Sequence, residues 1–134
     1  GYLNTALETG EMVVEVQLPK PIENARGGFS KFERTAADLP IVNVAVRLAL
    51  ENDGTCKEAR VSVGAATLAG VPKRSIAAEE ILVNQKIDEA LIEKAAVASN
   101  DVECINDFRA SSELRALWVK CGVEDALKKA IAQG

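Results

Sequence analysis

Phe29-Ser30-Lys31-Phe32-Glu33-Arg34-Thr35-Ala36-Ala37-Asp38-Leu39-Pro40-Ile41-Val42-Asn43-Val44-Ala45-Val46-Arg47-Leu48-Ala49-Leu50 decides the fold. In its second half Val42, Val44, Val46, Leu48 and Leu50 share one parity. A strand places them all on one face and gives Asn43, Ala45, Arg47 and Ala49 the other. This predicts a sheet with one well-buried side and a strand over Ile41–Leu50. The first half is short, aromatic and charged, and a polar loop closed by Pro40 joins the two. Packing alone does not account for that loop's charge.

Working outward, Asn52-Asp53-Gly54 follows the strand. Asp-Gly between alternating apolar runs signals a hairpin. The partner strand continues through Ala59, Val61, Val63 and Ala65, with Gly64 and Ala65-Ala66 small enough for close backbone approach. Upstream, Phe29–Arg34 reads as a strand in which Phe29 and Phe32 have opposite parity, reconciled by a bulge near Ser30. Residues 22–28 read as a loop ending in Gly27-Gly28. Met12, Val14, Val16 and Leu18 alternate with Val13, Glu15 and Gln17, predicting a half-buried first strand that Pro19 and Pro21 end. Residues 1–10 read as a tail or linker.

The period changes at Ser75, an N-cap for a short helix over Ile76–Val83. Ile87, Ala90, Leu91, Lys94, Ala95 and Ala98 mark a second helix, with Asp88 and Glu89 in its first turn and Asn100-Asp101 at its end. After an irregular stretch, Ser111 or Ser112 caps a last helix running to about Ala132. Its apolar stripe falls into two, Leu114/Leu117/Trp118/Cys121 and Val123/Ala126/Leu127/Ala130/Ile131, with a phase slip at Gly122. Strands first and helices after predict an α+β fold. An antiparallel sheet of three to four strands precedes about three helices packed on one face.

Composition bounds the function. The 134 residues are 48% hydrophobic and 27% charged, which suits one domain with one core. Aromatics are 4%, so the core is aliphatic. Net charge is −4 and no Lys/Arg run occurs, which argues against nucleic-acid binding. No apolar run approaches the roughly 20 residues of a membrane span. Histidine is absent, removing most zinc sites and every His-dependent triad or dyad. The three cysteines, Cys56, Cys104 and Cys121, form no CxxC. They read as buried small hydrophobes in a reducing, cytoplasmic compartment. No glycine-rich nucleotide motif appears, and no residue is assigned a catalytic or metal-binding role. Glu79-Glu80 and Glu89/Glu93 read as solvated helix faces. The chain begins at Gly1 rather than Met and no signal peptide is visible, so it reads as a cut or tagged fragment.

Four pieces in order carry a resemblance. They are Thr5–Pro19; Phe29–Arg34 leading through Asp38 into Ile41–Val46; Val63-Gly64-Ala65-Ala66 followed by Val71–Glu79; and Asp107-Phe108-Arg109-Ala110-Ser111-Ser112-Glu113-Leu114-Arg115. Together they resemble the FAD-binding (medium) subunit of the molybdenum hydroxylases, the xanthine dehydrogenase and carbon monoxide dehydrogenase family. The match is to that subunit's C-terminal domain. Residues 1–20 are then the end of the preceding FAD-binding domain, or a linker with the first strand, and residues 21–134 the C-terminal domain.

The resemblance implies a role in electron transfer. FAD is held mainly by two N-terminal domains outside these residues, and molybdopterin and 2Fe–2S clusters sit on partner subunits. The C-terminal domain closes one side of the flavin and packs against the iron–sulfur and molybdopterin subunits. Val13 matches an apolar position against the isoalloxazine ring, and Lys31 a lysine near the flavin. Arg34 and Asp38 are the charged members of a loop that in some relatives controls access of the electron acceptor. Asn4 aligns loosely with a position near the flavin, although a tail residue is the simpler reading. Asp107, Arg109 and Ser111 read as structural, an Asp–Arg pair with a Ser cap at the start of the last helix. One alternative is an assembly module that never touches flavin; another is a stand-alone binder of a small ligand.

Overall fold

The structure, a computed structural model, describes residues 4–133. Four antiparallel strands form one sheet in chain order: β1 (Ala25–Phe32), β2 (Val42–Leu50), β3 (Cys56–Gly64) and the two-residue β4 (Lys73–Arg74). Three helices follow, α1 (Ile76–Leu82), α2 (Glu89–Ala98) and α3 (Ser112–Ile131), with a single 3-10 turn at Ser99–Asp101 between the last two. The helices cover one face, so the α+β architecture predicted from strand-then-helix order is the one observed.

The alternation in β2 builds the core. Val42, Val44, Val46 and Leu48 are 0–4% exposed. Across the β2–β3 ladder Val44 faces Val63, Val46 faces Val61 and Leu48 faces Ala59, which extends one apolar face over two strands. The hairpin turns at Gly54, whose φ of +85° only glycine adopts without strain. Helix α3 lies over β1 and β2, α1 lies over β3, and α2 bridges α1 and α3.

Two glycines set how closely α3 approaches. A Cβ on Gly28 would lie 1.8 Å from the Ala126 carbonyl oxygen, so helix and strand meet backbone to backbone. A Cβ on Gly122 would lie 2.8 Å from Val44 Cγ2 and 3.1 Å from Phe32 Cε2. Phe32 in turn stacks on Trp118, with ring centroids 5.7 Å apart.

Several local expectations are corrected. Met12–Leu18 forms no strand. Met12, Val13, Val14, Val16 and Leu18 are 67–84% exposed, because alternation supplies a face but no neighbour to pair its backbone. The loop expected over 22–28 is half strand: β1 starts at Ala25, and Gly27-Gly28 lie inside it. No bulge interrupts β1; the register against β2 is continuous, Ser30 points inward and Phe29 outward. Ala65 lies beyond the end of β3 with φ +61°.

The helix faces are also rotated from the predicted stripes. In α2 Ile92, Ala95 and Ala96 are buried, whereas Ala90 is exposed. Asp88 is its N-cap, with the carboxylate accepting the Leu91 N–H at 2.8 Å. Helix α3 has one unbroken buried face, Arg115, Val119, Gly122, Val123, Ala126, Leu127 and Ala130. The slip at Gly122 disappears once Arg115 and Gly122 count as interior positions. Leu114, Leu117 and Cys121 are then exposed and Trp118 is half-buried. Of the other cysteines, Cys56 is buried and Cys104 half-buried.

Glu79 is not a solvated helix residue. It is 5% exposed, accepts the Val61 N–H at 2.9 Å and is bonded twice to the Arg74 guanidinium. Burial pushes its carboxyl up, but Arg74, the Val61 N–H and Arg60 outweigh that and hold it below the usual carboxylate range.

Gly28→Ala destabilises the domain by about 1–3 kcal/mol or more, because α3 must lift from β1. Gly27→Ala, whose Cβ would meet only the Val46 carbonyl at 3.7 Å, changes the unfolding midpoint little. Chemical denaturation of both variants checks this.

Glu79 also sets an acid limb. Its pKa is lower folded than unfolded, so the unfolded chain binds the proton more readily. Its contribution is present above the unfolded value of about 4.3 and is lost as pH falls through the folded value. Glu79→Gln therefore flattens the acid side of the stability–pH curve, measured by thermal unfolding between pH 3 and 7 (roughly the carboxylate range).

Candidate functional site

Three loops meet at one end of the sheet: residues 33–41 between β1 and β2, residues 65–72 between β3 and β4, and residues 102–111 before α3. The Ile105 N–H donates to the Ala66 carbonyl at 2.8 Å and the Leu68 N–H to the Glu103 carbonyl at 2.9 Å, which stitches two of them together. Between the loops lies a cleft of about 800 Å³, lined by Arg34, Asp38, Leu39, Leu68, Phe108 and Arg109 among others. That volume lies in the usual range for a ligand or docking site.

Arg115 holds the cleft from beneath. Its side chain is 1% exposed. Nη1 donates to the Ile41 carbonyl at 2.5 Å and the Ala65 carbonyl at 3.2 Å, and Nη2 to Asp107 Oδ1 at 2.7 Å. One buried guanidinium thus ties all three loops. Asp107 Oδ1 also accepts the N–H groups of Arg109 at 2.8 Å and Ala110 at 3.2 Å, closing a tight turn before α3. Desolvation raises the Asp107 carboxyl, but Arg115 and the two N–H groups outweigh it and hold it below its ordinary value. Ser111 caps α3, its hydroxyl accepting the Leu114 N–H at 3.2 Å.

The expected Asp107–Arg109 ion pair is not the one formed. Asp107 pairs with Arg115, and Arg109 Nη2 donates to the Leu39 carbonyl at 2.5 Å, reaching across the cleft mouth. Arg115 stood in the quoted motif without a role. An arginine in phase with Val119, Gly122 and Val123 on one helix face was the signal that it points inward.

The sequence-predicted site residues are only partly brought together. Arg34 Nε and Asp38 Oδ2 are 3.6 Å apart in the cleft wall, and both are solvent-accessible. Lys31 lies on the uncovered sheet face opposite Asn43 and forms an ion pair with Glu33. Val13 stands on the exposed N-terminal segment, 67% exposed. Of the four, Arg34 and Asp38 line the cleft, and Lys31 and Val13 do not. Asn4 lies on the same exposed segment as Val13. Among the described residues no cluster of His, Cys, Asp or Glu is arranged for a metal ion, and no helix is long and apolar enough to cross a membrane.

Residues 28–130 match the model of the CO dehydrogenase flavoprotein C-terminal domain. The chain belongs to this family. It is 28% identical over 123 residues to the 6-hydroxypseudooxynicotine dehydrogenase complex subunit alpha of Paenarthrobacter nicotinovorans, covering 91% of this chain and 41% of that protein. It is 25% identical over 134 residues to the carbon monoxide dehydrogenase medium chain of Afipia carboxidovorans, covering 99% of this chain and 46% of that one. The chain therefore spans less than half the length of these relatives.

Among solved structures, quinoline 2-oxidoreductase from Pseudomonas putida 86 superposes with a TM-score of 0.72 at 28% identity, over 84% of this chain and 39% of that one. Carbon monoxide dehydrogenase from Hydrogenophaga pseudoflava gives a TM-score of 0.78 at 21% identity, over 87% and 40%. That second likeness is one of fold.

Arg115→Lys keeps the charge but not the three-way reach. It lowers the unfolding midpoint and speeds amide exchange at residues 39–41, 65–68 and 107–110. Arg109→Ala, which loses one exposed bond, shifts the midpoint much less. Hydrogen-exchange mass spectrometry with thermal melts distinguishes the two.

Proposed function

We propose that this chain is the C-terminal part of the FAD-containing electron-transfer subunit of a molybdopterin-dependent hydroxylase or dehydrogenase. The family match over residues 28–130 carries the reading. In it, FAD is held mainly by residues outside this chain, while molybdopterin and iron–sulfur clusters reside on partner subunits, in the cytoplasm. FAD, when bound, would supply the relay between those clusters and an acceptor. No independent catalysis is assigned to this chain.

Within that frame the chain's own residues cover one side of the flavin. Lys31 is set on the uncovered sheet face, where an ammonium favours negative charge nearby. Its ion pair with Glu33 orients it along that face. Arg34 and Asp38, salt-bridged across the cleft wall, form the loop past which an acceptor approaches.

Residues up to 20 go with the preceding domain in this reading. Met12, Val14, Val16 and Leu18 alternate in sequence yet are 76–84% exposed. Such a segment finds its backbone and side-chain partners in a sheet outside residues 21–134. Val13, on the opposite side of that segment, is then placed by the preceding domain and reaches the ring from there.

A second reading is an assembly module without flavin contact. It is favoured by one observation: Val13, Lys31, Arg34 and Asp38 do not converge on one pocket. Lys31→Ala in the complete subunit separates the two. The flavin-contact reading expects an unchanged melting temperature with altered rates of flavin reduction or reoxidation, followed by flavin absorbance. Unchanged flavin spectra and turnover leave the assembly module standing.

A further inference from the structure

Asn43 sits among the valines of β2, on the sheet face that the helices leave open. Asparagine is disfavoured in strands, and a half-buried carboxamide is stabilised there only by hydrogen bonds. Among the described residues its side chain has no such partner. Its neighbours across the ladders are Lys31 on β1 and Gly64 on β3, so the three stand in one row.

Gly64 makes room for this side chain. A Cβ there would lie 2.3 Å from Asn43 Oδ1 and 3.2 Å from its Cγ, so the carboxamide lies against the bare backbone of β3. The φ of Gly64 is not positive, so backbone conformation does not call for glycine at this position. Glycine weakens a strand and marks a place where another group comes close to the backbone. Here that group is the Asn43 carboxamide, whose donor and acceptor both remain free.

The chemistry of the row suits one edge of a flavin. A lysine ammonium only donates, whereas a carboxamide donates and accepts. The pyrimidine edge of an isoalloxazine ring carries an N–H between two carbonyls. One carboxamide can accept from that N–H and donate to a neighbouring carbonyl, as asparagine does at the edge of adenine. The Lys31 ammonium in the same row, oriented by Glu33, favours electron density on that edge.

We infer that Asn43 is a flavin-binding residue, its carboxamide hydrogen-bonded to the pyrimidine edge of the ring, and that position 64 is glycine to leave that carboxamide room. The inference rests on the proposed cover of the flavin by this face. It adds a residue that neither the sequence motifs nor the family match assigns, and the edge of the ring that it holds.

The test uses the complete flavoprotein subunit. Asn43→Ala is expected to weaken FAD binding about threefold to tenfold, as loss of a hydrogen bond does, read by fluorescence titration of the FAD-free subunit. Asn43→Asp sets a negative charge against the same edge. It lowers the flavin reduction potential below that of Asn43→Ala, read by spectroelectrochemistry. Gly64→Ala keeps Asn43 but displaces its carboxamide, and repeats the loss of affinity. Melting temperatures of the FAD-free Asn43 variants stay near that of the unmodified subunit, because the side chain pairs with nothing in the fold.

A changed flavin potential in Lys31→Ala, with affinity and potential unchanged in both Asn43 variants, overturns the inference and leaves the flavin cover standing. A flavin unaffected by Lys31→Ala and by both Asn43 variants overturns the flavin cover and the inference with it. A lowered melting temperature of FAD-free Asn43→Ala, with the bound flavin unchanged, assigns the carboxamide to backbone of the preceding domain and overturns the inference alone.

Discussion

The guanidinium of Arg115 is the interaction on which the loop end of this domain depends. Desolvating a cation costs several kcal/mol, and the cost is met only where partners surround it. Here the partners are one carboxylate and two carbonyls, each from a different loop. None of these loops has a core of its own. Their backbone groups are organised by a charge delivered from inside the helix layer. The arrangement is geometric as much as energetic, because a planar fork reaches three acceptors where an ammonium point charge does not.

The helix that carries Arg115 is placed by the absence of side chains. Gly28 lets the backbone of β1 touch that of α3 at Ala126, and Gly122 lets Val44 and Phe32 reach the helix axis. These contacts lie on the same helix face as Arg115, Val119 and Val123. Depth and rotation of α3 are therefore fixed by small residues in its middle and C-terminal half, and the charged end of the same face is swung into position under the loops. Sheet packing and cleft architecture are one constraint seen at two places along one helix.

What was legible in the sequence followed period. The Val42–Leu48 alternation gave the central strand and its inward face, Asp53-Gly54 gave the hairpin, and Ser75 and Ser111 gave helix starts with their N-caps observed. The misreadings share a cause, in that burial was inferred from apolarity alone. Arg115, Gly122 and Glu79 lie inside although they are not apolar; Leu117 and Cys121 lie outside although they are. Buried charge is legible only when the partner is known, and Ile41, Ala65 and Asp107 are brought together by the fold, not by spacing. At the site, Arg34 and Asp38 were singled out as charged members of one loop, and their side chains stand 3.6 Å apart. The grouping of both with Val13 and Lys31 came from the family resemblance and has no local signal in the sequence.

Met12–Leu18 and the cleft mouth both leave apolar surface uncovered, and they differ in kind. The segment alternates and forms no strand, and among the described residues it has neither a paired strand nor apolar cover. The cleft mouth has its backbone satisfied by Asp107, Arg109 and Arg115 and lacks cover only. An unpaired strand demands a sheet, which is part of a folding unit, whereas a finished loop with bare side chains demands only a surface. In the proposed reading the first deficiency is met by the preceding domain. The turn holding Phe108 is anchored to the core by the Asp107–Arg115 ion pair and not by the ring itself.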